Sequence, residues 1–99
     1  MLNIEKKIEN GKAVFALEGR LDTVTAPGLE QTVKETLHDV NEVTFDLTKL
    51  EYISSAGLRV LLTAQKLMAG KGDMIVTNPN EIVSEVFEVT GFSDILTIQ

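Results

Sequence analysis

Ninety-nine residues are enough for one hydrophobic core and too few for two, and 43% apolar with 24% charged residues is the balance of an ordinary globular chain. Fifteen acidic against nine basic residues leave a formal charge of −6, which disfavours nucleic acid or an anionic membrane as partner and favours a basic protein surface. The absence of cysteine excludes disulfides, thiol catalysis and thiolate metal sites.

The first ten residues, MLNIEKKIEN, lack the apolar centre of a secretory signal, and no apolar run approaches the length of a membrane span. A cytoplasmic location is therefore expected. Leu2, Ile4 and Ile8 alternate with Asn3, Glu5 and Lys7, the period of a half-buried strand. Lys6 falls on the apolar side, which marks an edge strand. Asn10-Gly11 is the pair that tolerates positive φ at both centres of a tight hairpin turn. AVFAL, residues 13–17, is apolar on both faces and suits a central strand. Residues 2–18 thus read as a β-hairpin closed by Gly19.

Thr25 and Pro27 announce a helix, since proline is tolerated in a first turn. Leu29, Val33, Leu37 and Val40 then repeat at helical spacing, giving a helix over about 27–38. Val43, Phe45 and Leu47 alternate with Glu42, Thr44 and Asp46 as a strand that stops at TKLEY. A second helix follows Ser54-Ser55, with Leu58, Leu61, Leu62 and Met68 on one side and Arg59, Thr63 and Lys66 on the other. It ends at Gly70-Lys71-Gly72. Met74–Val76 is a short buried strand. Asn80 reads as the N-cap of a third helix, striped by Ile82, Val83, Val86 and Phe87 and stopped by Gly91. Residues 95–98, ILTI, supply a last strand. The order predicts a single α/β domain over residues 1–99, an N-terminal hairpin followed by helices alternating with mostly parallel strands joined by right-handed crossovers.

In such sheets, sites gather beyond the carboxyl ends of the strands. The loops there carry Asp22, Thr23, Thr25, Ser54 and Ser55. Catalysis is not expected. The sole histidine, His38, sits near the end of the first helix, far from these serines, so a small hydrolase using Ser55 lacks a base. There is no nucleophile elbow, no phosphate-binding loop, no paired histidines and no carboxylate cluster, hence no metal and no cofactor. The serines are better read as acted upon. A hydroxyl at a helix start caps the helix. A phosphate there is favoured by the helix terminus and adds ~−1.5 to −2 charges. It would leave the fold intact while obstructing a docked partner, and Gly57 would let that partner approach the backbone closely.

FDLTKLEYISSAGLRVLL resembles the signature of the STAS domain, specifically of bacterial anti-sigma factor antagonists. LEGRLDTVTAPGLEQTV is similar to the element that precedes the first helix in that family, and VFEVTGFSDILTI to its C-terminal helix and tail. The resemblance covers essentially the whole chain. It implies a compact β-α superhelix that binds an anti-sigma factor with serine kinase activity and so frees a sigma factor for transcription. The kinase would phosphorylate one serine and end the interaction, and a serine phosphatase would restore it. Alignment on Gly57-Leu58 puts the acceptor at Ser55, with Ser54 a second candidate. Many family members have aspartate where Ser54 stands. Asp22 falls on the family's turn aspartate, and Asp46 at the end of the third strand. The expected docking surface comprises Asp22, Thr23, Ser54, Ser55, Gly57, Leu58 and Arg59, on a chain that is monomeric when free. The rival reading within the family is a scaffold or sensor module that binds a nucleotide or other small ligand.

Overall fold

The structure, a computed structural model, describes residues 1–99. β1 (Leu2–Glu9) and β2 (Lys12–Leu21) form an antiparallel hairpin. Its turn places Asn10 at φ 55° and Gly11 at φ 77°, as the Asn-Gly pair predicts. The chain continues through α1 (Ala26–Thr36), β3 (Glu42–Ile53), α2 (Ser55–Met68), β4 (Asp73–Thr77), α3 (Glu81–Val89) and β5 (Thr97–Ile98). Short 3₁₀ turns follow α1 and α3.

The strands lie in sequence order, β1-β2-β3-β4-β5, and all pairs after the hairpin are parallel. A sheet that always steps the same way through right-handed crossovers puts every helix on one face. The burial pattern agrees. On β2, Ala13, Phe15, Leu17 and Leu21 are buried, while Val14, Glu18 and Arg20 between them are exposed. Val14 is 37% exposed, so the doubly apolar AVFAL strand is central but covered on one face only. Expectation and structure differ here because the crossovers, which decide coverage, are properties of topology. Phe15 and Phe45 stack at 5.2 Å between β2 and β3, and Phe87 of α3 closes over the same core. Each fully buried phenylalanine contributes about 1.5–3 kcal/mol relative to exposure.

β3 is much longer than its alternation predicts. It runs on through TKLEYI to Ile53, and β2 accompanies it past Gly19 to Leu21. Two register shifts make this possible. Ala16 faces Asp46 but Glu18 faces Lys49, and Gly19 faces Leu50 but Arg20 faces Tyr52, so β3 carries one extra residue at each step. The bulges bring Leu47, Leu50 and Ile53, three residues apart, all to the core side. That spacing is not a strand's, which is why the sequence reading ended the element early. Gly19 stays inside β2 at φ +107°, where a Cβ would lie 2.2 Å from the Met1 carbonyl. The last strand is correspondingly shorter than ILTI, only Thr97 and Ile98.

Candidate functional site

β2, β3 and β4 end on the same rim of the sheet, and the segments leaving them are tied together there. Past β2, Asp22 Oδ1 accepts the N–H groups of Val24 and Thr25, both at 3.1 Å, the turn an aspartate forms with its own following backbone. Thr25 Oγ1 accepts the Asp22 N–H and donates to the Arg20 carbonyl, both at 2.9 Å. The N–H of Thr25, ahead of its hydroxyl and the Val24 N–H, holds the Asp22 carboxyl below the usual carboxylate range. Past β3, Ser54 donates its N–H to the Leu21 carbonyl at 2.9 Å, which joins the Asp22 turn to the start of α2. Past β4, Asn80 Oδ1 accepts the Val83 N–H at 2.7 Å as the N-cap of α3. Its Nδ2 donates to the Leu50 carbonyl at 3.0 Å and so pins α3 to the end of β3.

Ser54 is the N-cap of α2 in extended conformation, and its carbonyl accepts the first intrahelical bond, from Leu58 N–H at 3.0 Å. Its hydroxyl makes no capping bond; Oγ is sealed from solvent with no partner. Ser54 therefore does not present its hydroxyl to an enzyme, which corrects its standing as a second acceptor. Ser55, the first helical residue, is exposed. No acidic residue occupies the first turn of α2, so the positive end of the helix is not neutralised by its own side chains. Arg59, one turn on from Ser55, is exposed and makes no ion pair.

Two members of the expected surface turn inward instead. Leu58 is only 4% exposed and belongs to the core. Gly57 is buried, and a Cβ on it would lie 2.7 Å from Leu21 Cγ and 2.8 Å from Ile53 Cγ1. The close approach that this glycine permits is thus internal, α2 against the ends of β2 and β3. Asp22, Thr23, Ser55 and Arg59 remain at the surface, Asp22 half-buried. His38 is exposed in the 3₁₀ turn ahead of β3, at the opposite, amino end of the parallel strands, beside Asp39 at 3.2 Å. No group of His, Asp and Glu is assembled closely enough to hold a metal ion.

Arg20 and Tyr52 carry no sequence motif that would bring them together. They are register partners just before the rim, on the helix-free face, with the guanidinium 4.5 Å from the ring centroid and Arg20 Nε 3.9 Å from Asp22 Oδ2. The pairing requires the second bulge of β3. The period-2 step from Arg20 to Asp22 bears only on their ion pair.

The one-sided sheet with its helices on a single face places the chain among α/β domains of one fold. The family model for the STAS domain matches residues 3–99, and the chain belongs to this family. Among curated relatives, it is 35% identical over 91 residues to BtrV of Bordetella bronchiseptica, provisionally named an anti-sigma factor antagonist, covering 90% of this chain and 78% of that one. Among solved structures, an anti-sigma factor antagonist from Mycobacterium paratuberculosis superposes with a TM-score of 0.90 at 22% identity, covering 99% and 85% of the two chains. The anti-sigma factor antagonist SpoIIAA of Bacillus shares the fold in unphosphorylated and phosphorylated forms, with TM-scores of 0.76 and 0.75. Identity to these forms is 18% and 19%, the whole of this chain being covered with 87% and 91% of theirs.

Proposed function

We propose that this chain is an anti-sigma factor antagonist, a binding module without catalytic activity of its own. Its partner is an anti-sigma factor with serine kinase activity, and capture of that partner in the cytoplasm frees a sigma factor for transcription. Docking uses the rim around Asp22, Thr23, Ser55 and Arg59. The kinase transfers phosphate to the Ser55 hydroxyl, binding ends, and a serine phosphatase resets the module.

The observation that carries this reading is the position of Ser55 as the exposed first residue of α2, next to an ordered aspartate turn. A dianion there meets unpaired N–H groups of the first helical turn and the neighbouring Arg59, so the fold accommodates it. A partner seated on the same rim meets new bulk and about two negative charges. The family supplies the partner class, since the relatives described above bear the name of anti-sigma factor antagonists.

Incubation with the cognate kinase and Mg-ATP, followed by mass spectrometry, is expected to find one phosphate on Ser55. An unmodified chain, or modification elsewhere, would contradict the assignment. Ser55→Asp is expected to weaken binding to the anti-sigma factor at least about tenfold, about 1.4 kcal/mol. Wild-type affinity in that variant would overturn the charge argument.

A further inference from the structure

Downstream of Lys71 the chain carries Asp73, Glu81, Glu85, Glu88 and Asp94 and no lysine, arginine or histidine. Nearly all of the formal charge of −6 therefore belongs to this stretch, and none of its acids enters an ion pair. Three of them line α3, whose other residues divide into two apolar sets. Val83 and Phe87 are buried against the sheet. Ile82, Val86 and Val89, at i, i+4 and i+7, fall within about 60° of one another on a second face. Ile82 is 58% exposed, Val89 77%, and Val86 between them is half-buried. The same 100° step puts Glu81, Glu85 and Glu88 side by side along the outer flank of this stripe.

Val86 leans on the core, so the exposed part of this stripe is Ile82 and Val89. Their exposure is unfavourable, and the acidic flank beside them has no internal partner. We infer that the outer face of α3 is a second docking surface, which takes a helical segment of a protein partner bearing an apolar stripe flanked by lysines or arginines. The charge decides between occupants. An anionic membrane is repelled by the glutamates, whereas a basic amphipathic helix satisfies both sets of residues at once. The area is small, Ile82 and Val89 with the open edge of Val86 and their acidic border, which suits a transient contact. α3 is a separate element from the start of α2, so this contact stands apart from the Ser55 switch and does not depend on the function proposed above.

The test is titration of isotope-labelled protein with an amphipathic helical peptide of leucine and lysine, and with its leucine–glutamate twin, followed by NMR. Shifts at residues 81–89 with the lysine peptide alone are expected, and they should weaken with added salt. Glu85→Lys with Glu88→Lys, and separately Ile82→Ala with Val89→Ala, should each reduce affinity at least about tenfold. These side chains are at the surface, and unchanged spectra elsewhere verify the fold of each variant. Ser55→Asp should bind the peptide like the wild type. The inference is overturned if the shifts map to another face, if the glutamate peptide binds equally well, or if Ser55→Asp abolishes binding. Shifts at residues 81–89 that arise from protein concentration alone would name a second copy as the occupant and overturn it equally.

Discussion

Ser54 and Ser55 are neighbours in the chain, yet the backbone at the start of α2 turns the first hydroxyl inward and leaves the second in solvent. Ser54 has the extended backbone of an N-cap, and its N–H is held by the Leu21 carbonyl, so its side chain points under the rim. One residue later the chain is helical and faces outward. Asp46 shows a residue-scale effect of a different kind. Its Oδ1 accepts the Thr48 hydroxyl at 2.6 Å and the Thr48 N–H at 3.0 Å, and these bonds, the hydroxyl foremost, lower its carboxyl below the ordinary range. A carboxyl depressed in the folded state stabilises the fold above its unfolded value of about 3.9 and loses that contribution as pH falls through the folded value. Asp46→Asn keeps an acceptor for Thr48 but no longer titrates. Melting temperatures measured from neutral pH down to about pH 2 should therefore fall less steeply in the variant on the acid side. Parallel curves would show that the bond to Thr48 carries no linkage.

At the scale of elements, two of the three helix starts on the rim differ in their capping: the Asn80 side chain caps α3, and the Ser54 side chain does not cap α2. Asn80 serves α3 with one bond to the Val83 N–H and anchors it to β3 with another to the Leu50 carbonyl. Asn80→Ala removes both, and an N-cap loss alone costs ~1 kcal/mol. A fall in melting temperature of at least about 4–8 °C is expected for a domain of this size. Ser54→Ala removes a buried hydroxyl that bonds nothing and should leave stability unchanged or raise it. Thermal denaturation of the two variants side by side tests the assignment, and a Ser54→Ala loss as large as that of Asn80→Ala would show that the Ser54 hydroxyl caps α2 after all. The tilt of α2 is set by Gly57, whose missing Cβ lets the first turn sit on Leu21 and Ile53. That packing, more than capping, positions Ser55.

Considered as a whole, the molecule separates scaffold from surface. The core lies between one face of the sheet and three helices, and the carboxyl rim projects from it. A charge added at Ser55 enters solvent beside a helix terminus and displaces no buried contact. Ser55→Asp is accordingly expected to melt within about 2 °C of the wild type, while its partner affinity falls. Loss of folding in that variant would mean that the rim is part of the scaffold. The acidic C-terminal stretch is likewise a surface property, since its glutamates line the outside of a helix whose inner side carries the core contacts.

Periodicity sufficed for much of this. Alternation at Leu2–Ile8, the Asn10-Gly11 turn, the i, i+4 stripes and the Asn80 cap are local rules, in which backbone preference and burial act over a few residues. All eight strands and helices, and the place of Ser55 at a helix start, are readable in that way, with the last strand shorter than ILTI. The length of β3 is not, because its bulges exist only where β2 pairs with it. Nor are the open face of the sheet, the inward turn of Gly57 and Leu58, the sealed Ser54 hydroxyl or the Arg20–Tyr52 pair. Each of these depends on which distant segments lie across from one another, and a sequence states spacing along the chain while only the packed chain decides what stands opposite.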